Sequence, residues 1–361
     1  MAKEGNDVFL LAPNRPEDCE TGVANIFDFY NVDNGFKISK LFWPKLKFFR
    51  GQSAAYAVAA ALEIWRINPD LVIGRHVHSC ALAAWIGYST IYERHSPIWD
   101  TGWRKYLSFK YLSFRLLRLS PNLQKLILIT EALRESYVKH ESTSQEVLQV
   151  VPDAADAPAE TDLPAEVSSS ERVRAAGREK TLQVGYVGNL YPGKGMKVIV
   201  EVASLMPEVD FHVVGGLVED ILKWKKRSDS SNVHFHGFVD QKKVPCYIQS
   251  FDVCLLPNQR RVETRGGTEI GGFTSPLKMF EYMSMGKAIV ASNLPVLQEV
   301  LTHKKNAILC DPEKIEQWVA SINYLKQHPE VSKQIGKRAR DDFIANHTWD
   351  IRAQRVLENI D

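Results

Sequence analysis

Short continuous apolar runs alternate with longer helical patterns through the C-terminal half of this chain. "LQVGYVG" predicts a strand, "MKVIVEVASLM" a helix, and "VDFHVVGG" a second strand ending in paired glycines. "NVHFHGFV" and "DVCLLP" follow as short strands, then "PLKMFEYMSMG" as a helix and "KAIVAS" as a strand. Continuous apolar strands separated by helices indicate a parallel sheet covered on both faces. Ligands of such sheets sit beyond the carboxyl ends of the strands. The N-terminal part repeats the pattern. "DVFLLAP", "PDLVIG", "STIYERHS" and "KLILIT" read as strands, and "SAAYAVAAALEIWRI" and "CALAAWIG" as helices. Two doubly wound α/β domains facing across a cleft are the expected architecture, with "TWDIRAQRVLENI" as an amphipathic terminal helix.

A length of 361 residues agrees with two cores rather than one. The stretch "VPDAADAPAETDLPAEVSSSE" carries six acids, no bases and few large apolar residues, which marks a linker. The expected organisation is an N-terminal domain over 1–155, a linker over 156–180, a C-terminal domain over 181–340, and a terminal helix over 341–361 packing back toward the N-terminal domain. The longest apolar candidate, "AAYAVAAALEIW", is interrupted by Glu63, so no spanning helix is expected. The opening residues carry no signal-peptide pattern. Five scattered cysteines (Cys19, Cys80, Cys246, Cys254, Cys310) form no C-x-x-C pair and read as reduced thiols in a cytoplasmic protein.

The candidate chemistry begins at "GYVGNLYPGKGMK", residues 185–197. Gly188, Gly193 and Lys194 fit the P-loop spacing G-x-x-x-x-G-K after a buried strand. A P-loop continues with Ser or Thr, whose hydroxyl holds Mg²⁺; this chain has Gly195. The later strand "DVCLLP" ends in Pro257 rather than Asp, and no D-x-D occurs. These departures argue against a P-loop ATPase or kinase. Lys194 and the backbone N–H groups of the turn could still hold a diphosphate without metal. A surface lysine in a strand–helix turn is the plainer reading of this motif alone.

A second stretch, "GGFTSPLKMFEYMSMG", strengthens the anion reading. Ser275 suits an N-cap, Pro276 the first helical position, and Gly286 the position just past the end. The positive pole of this helix then meets a strand's exit, where an anion is favoured. Glu281 on the same helix either accepts two hydroxyl hydrogen bonds, as a ribose offers, or faces solvent.

These stretches resemble the GT-B retaining glycosyltransferases of the large family 4. "VGNLYPGKG" is similar to the family's phosphate loop, and "SPLKMFEYMSMGKAIVAS" to its helix–strand unit. "VHFHGFVDQKKVPCYIQSFDVCLLP" resembles the segment near the nucleotide base, and "PDLVIGRHVHSCALAAWIGYSTIYERHSP" the N-domain segment ending in an E-x-H strand. "VVPDAAD" resembles the linker entry; the likeness covers most of 65–100 and nearly all of 120–361. It implies two Rossmann-like domains and a metal-independent, retaining transfer of a hexosyl-type sugar. The sugar would pass from a nucleoside-diphosphate donor to a glycan or lipid-linked acceptor, with no cofactor.

Carried over by position, Lys194 binds the donor diphosphate and, with His95 approaching the transferred sugar, forms the catalytic pair. Gly188, Asn189 and the backbone around Ser275, Pro276, Leu277 and Lys278 meet the phosphates, and Glu281 binds the ribose. Two departures stand out. Asn189 replaces a frequent Arg, with Lys278 as the candidate substitute. Phe273 occupies the first Glu of E-x7-E, leaving Glu269 as the candidate sugar contact. Lys194 and a helix N-terminus can stabilise a departing diphosphate electrostatically, and no enzymatic nucleophile is assigned.

Charge distribution adds a surface. Between Lys37 and Lys125 there are 14 Lys/Arg against four acids. "GWRKYLSFKYLSFRLLRL" and "KLFWPKLKFFR" mix aromatic and basic residues, which suits the anionic inner face of a membrane; a solvated helix with a core face is the alternative. No nucleic-acid motif accompanies the basic residues. His76 with His78, and His234 with His236, lack a third ligand placed by sequence, so no metal site is assigned. Two rival functions stay open: a non-catalytic GT-B-like subunit binding a partner glycosyltransferase or a membrane, and a sugar-nucleotide epimerase. The opening "MAKEGND" resembles the tail of a helix leading into "VFLLAP", so the N-terminal domain is expected to lack its first strand and helix.

Overall fold

The computed structural model describes every residue except 3–4, 16–24, 31, 45–50, 99–107, 142–144, 159–180, 229, 263–268, 270 and 361. Cys19, most of the expected linker, and much of both basic aromatic stretches lie outside the described residues. The chain separates into two units, residues 1–151 with 353–361, and residues 152–352.

The N-terminal unit runs β1 (Phe9–Pro13), α1 (Ile26–Tyr30), β2 (Lys37–Leu41), α2 (Gln52–Ile67), β3 (Leu71–Gly74), α3 (Val77–Trp85), β4 (Ser89–Arg94), α4 (Phe109–Leu119), β5 (Leu123–Leu128), α5 (Glu131–Glu141) and β6 (Leu148–Val150). β1 and β2 pair in parallel, and β3-β4-β5-β6 form a second parallel sheet. β4 is buried along nearly its whole length, as expected of a strand covered on both faces. Helices α2, α3 and α4 pack side by side. Ser108 caps α4 by accepting the Tyr111 N–H at 3.1 Å.

The second unit runs β7 (Leu182–Val187), α6 (Met196–Leu205), β8 (Val209–Val214), α7 (Val218–Lys225), β9 (Val233–Gly237), α8 (Val244–Ser250), β10 (Val253–Leu256), α9 (Leu277–Ser284), β11 (Ala288–Ser292), α10 (Pro295–Gln298), β12 (Ile308–Cys310), α11 (Ile315–Gln327), α12 (Pro329–Asn346) and α13 (Trp349–Leu357), the last reaching into the first unit. Its sheet has the order β12-β11-β10-β7-β8-β9, all parallel. The runs "VCLL" and "AIVAS" are buried at every position, which is why they read as unbroken apolar segments. Val184, Phe211, Val253, Val290, Ile199 and Trp318 belong to one continuous core between sheet and helices. The end of α13 packs Val356 against Ile91, Ile127 and Val151 in the N-terminal unit's core.

The expected α/β class with two parallel-sheet domains is borne out. One local expectation changes. Helix α9 starts at Leu277 with Pro276 as its N-cap, so Ser275 lies outside the helix. The Ser275 hydroxyl instead accepts the Asp153 N–H at 3.2 Å. That bond was invisible in sequence, because the partners are far apart along the chain.

Candidate active site

In the C-terminal sheet, β7 leads outward on one side through β8 and β9, and on the other through β10, β11 and β12. The reversal between β7 and β10 opens a crevice beyond their carboxyl ends. The loop 188–195 leaves β7 there. Gly188 donates its N–H to the Val214 carbonyl at 2.8 Å. The Tyr186 hydroxyl donates to the Asn189 carbonyl at 2.7 Å, and the Tyr282 hydroxyl oxygen accepts the Val187 N–H at 2.8 Å. The far end of the loop lies on the chain leaving β10, where the Gln259 N–H donates to the Gly193 carbonyl at 2.9 Å. Gly193 and Gly195 adopt φ of 88° and 93°, and a Cβ on either would overlap backbone of Arg261 or Pro257. Both positions therefore require glycine.

The main electrostatic feature of this crevice is Lys278, in the first turn of α9. Its Nζ is buried without a hydrogen-bond partner and lies 3.7 Å from the centroid of the Tyr186 ring. A Cβ at Gly188 would sit 2.8 Å from that Nζ, so the glycine makes room for the amine beneath the loop. Burial drives the Lys278 pKa well below the ordinary lysine value; nearby Lys194 lowers it further, and Glu281 opposes the shift. A buried ammonium with no hydrogen-bond partner costs several kcal/mol, so burial disfavours the charged form here. Lys194, half-buried in the loop, has its Nζ 5.2 Å from the Tyr191 ring centroid, and burial lowers its pKa too.

Glu281 lies one turn along α9 from Lys278, on the same face. Its carboxylate accepts from Gln241 Nε2 at 3.4 Å. Burial raises its pKa, while the Gln241 hydrogen bond and Lys278 act in the opposite direction. The unit thus gathers Gly188, Asn189, Lys194, Lys278 and Glu281 around one strand end. Leu277 is exposed beside them, Glu269 is exposed, and Phe273 is half-buried. Such an arrangement can accept a doubly charged oxyanion at the lysines and hydroxyl donors at the glutamate. Glu281→Gln should weaken binding of a nucleoside diphosphate by about 1.5–3 kcal/mol, the scale of a hydrogen bond to a charged group, while sparing pyrophosphate. Calorimetric titration of both ligands checks this, and equal losses for the two would remove the ribose assignment.

His95 lies in the N-terminal unit, just past β4. Its Nε2 is 2.6 Å from Glu93 Oε1 and 2.6 Å from Arg75 Nη2. Glu93 is buried and also accepts from Arg75 Nε and Nη2, at 3.0 and 2.6 Å. Sequence reasoning singled out His95 and missed Arg75 and Glu93 as its partners. The E-x-H spacing on an extended chain, which puts both side chains on one face, was the available signal. Tyr186 and Tyr282 had none.

Of the histidines paired in sequence, His76 Nε2 is 2.7 Å from Ser53 Oγ and His78 Nδ1 is 2.7 Å from Ser113 Oγ. His212 Nδ1 and His236 Nε2 are 3.0 Å apart, and His234 Nε2 is 3.2 Å from Asp210. Burial holds His212 down at about 4, with the neighbouring histidines adding to the shift. Among the described residues no group of three His, Cys, Asp or Glu is arranged to hold a metal ion.

Residues 181–328, which contain the whole crevice, match the model of the glycosyl transferases group 1 family. An uncharacterized glycosyltransferase of Haemophilus influenzae is 28% identical over 160 residues, 43% of this chain and 42% of that one. The chain spans less than half the length of the curated relatives it matches. Among solved structures, HepE of Anabaena in complex with UDP and glucose superposes with a TM-score of 0.68 at 16% identity, over 90% of this chain and 86% of that one. Sucrose-phosphate synthase of Thermosynechococcus elongatus gives 0.69 at 17% identity, over 98% and 88%. Fold and domain together define the class: a GT-B fold with two Rossmann-like domains. Within it, residues 181–328 carry the similarity to the group 1 glycosyl transferases.

Proposed function

We propose that this protein is a metal-independent, retaining glycosyltransferase that moves a hexosyl-type sugar from a nucleoside-diphosphate sugar to a glycan or lipid-linked acceptor. The observation that carries it is the buried, partnerless Lys278 amine under Gly188, with Lys194 close enough to shift its pKa. Two such amines suit two adjoining phosphate groups and leave no need for a divalent cation. As the bond from the anomeric carbon to the diphosphate oxygen breaks, its electron pair goes to the diphosphate, and the lysines stabilise that charge. The acceptor oxygen approaches from the same face, forms the new bond and gives its proton to the departing diphosphate. Glu281 holds the ribose. His95, oriented by Glu93 and Arg75, is assigned to the transferred sugar. On this reading the enzyme works in the cytoplasm, at the inner face of an anionic membrane when its acceptor is lipid-linked.

The solved complex of HepE with UDP supports a uridine nucleotide as the first donor to try. Titration with uridine, guanosine and adenosine diphosphates and their sugars should give binding that is unchanged in EDTA. Transfer to added acceptors, with the anomeric configuration of the product read by NMR, should then proceed with retention. A strict Mg²⁺ requirement for binding would overturn the metal-free site, and interconversion of sugar nucleotides without any acceptor would make the protein an epimerase.

A further inference from the structure

Helix α4 is apolar on two sides, and the core accounts for only one of them. Tyr111, Phe114 and Leu117 are buried toward the sheet. Leu112, Leu116 and Leu119 recur at helical spacing on the outer side, and all three are exposed, Leu119 to 67%. The neighbouring helices continue this surface. Trp85 at the end of α3 is 54% exposed, and its indole N–H is already spent on the Leu116 carbonyl at 2.8 Å, so what it offers outward is mainly its apolar ring. Trp65 on α2 is 72% exposed, with Leu62 exposed one turn before it. Large apolar side chains clustered on adjacent helices exceed the scattered exposure normal for a protein surface.

Charge identifies the occupant. Along α2, α3 and α4 the basic residues are Arg66, Lys110, Arg115 and Arg118, and the acidic residue is Glu63 alone. A second copy of the chain meeting this face would set cation against cation. An anionic bilayer accepts both features: interfacial tryptophan and leucine enter the headgroup boundary while lysine and arginine meet lipid phosphate. No described helix is long and apolar enough to cross a membrane, so the contact lies at the surface.

We propose that the outer faces of α2, α3 and α4 form a docking surface for an anionic lipid bilayer. It gives the membrane part of the functional reading a location, and its test is independent of nucleotide chemistry. The full-length protein would be sedimented with vesicles of phosphatidylcholine, alone or mixed with phosphatidylglycerol, at low and high salt. Binding is expected only to the anionic vesicles, weakening at high salt, with tryptophan emission quenched by brominated acyl chains. Lys110→Glu with Arg115→Glu should reduce partitioning about thirtyfold or more, since each cation at an anionic surface contributes several-fold. Leu112→Glu with Leu116→Glu should abolish the quenching. Both pairs alter outer positions, and unchanged nucleotide titration in the other unit would show that a loss of binding is local. Wild-type protein remaining in the supernatant with anionic vesicles at low salt would overturn the proposal. So would variants that bind as well as wild type, or a lipid-free dimer that Leu112→Glu with Leu116→Glu dissolves.

Discussion

Lys278→Met should melt at a higher temperature than wild type when empty, and should lose most of its affinity for nucleoside diphosphates. The two effects share one cause. The amine has no hydrogen-bond partner within the protein and rests against the Tyr186 ring, so folding takes a polar group out of water without replacement. Methionine of similar length removes that cost, about 1–3 kcal/mol for an unsatisfied buried group. A bound diphosphate would supply the missing anion, so the same change should weaken binding by about 2–4 kcal/mol, the scale of truncating one member of a buried charge pair.

The pH dependence follows from sign. The folded pKa of Lys278 lies well below its unfolded value, so between the two the unfolded chain binds more protons and stability rises with pH. The stabilisation from Lys278→Met should therefore shrink as pH climbs toward the ordinary lysine range. Binding a phosphate should recharge the amine, so calorimetry in buffers of different ionisation enthalpy should register proton uptake in wild type and little in the variant. A variant that is less stable without ligand yet binds like wild type would make Lys278 a packing residue and leave the phosphate charge to Lys194.

Gly195→Ala should destabilise the C-terminal unit by about 2–4 kcal/mol and abolish nucleotide binding. The left-handed conformation alone costs a residue with a Cβ about 1–2 kcal/mol. The new methyl would also overlap the Pro257 carbonyl, which is backbone and cannot rotate away. Relief requires the loop after β7 to separate from the chain after β10, and that contact closes the crevice beside Lys194. Gly272→Ala is the matched control, because a Cβ there meets nothing within 4 Å. Urea unfolding and nucleotide titration of both variants check this. Equal behaviour of the two would mean that the loop tolerates a shift and that its close packing has no part in binding.

Much of the fold was legible because its strands are covered on both faces. A central parallel strand such as β11 must be apolar at every position, and such runs between helical patterns admit few alternatives. β2, β6 and β12 went unseen, since "KISKL", "LQV" and "ILC" are too short or too polar to stand out. The chain by itself determined the alternating α/β class, the Gly-rich loop with Lys194, and a helix beginning near Pro276, because each rests on local spacing. Tertiary structure decided what those parts do to one another. Sequence offered Lys278 as a substitute for the arginine missing at Asn189, but nothing local showed that its amine is buried. Only the sheet order, with β7 beside β10, puts its amine beneath Gly188 with no partner. Glu93 and Arg75 acquire their bearing on His95 in the same way, through the pairing of β3 with β4. Local sequence sets conformation and charge, whereas burial, which decides whether a charge is tolerated or must await a ligand, depends on residues brought together from distant parts of the chain.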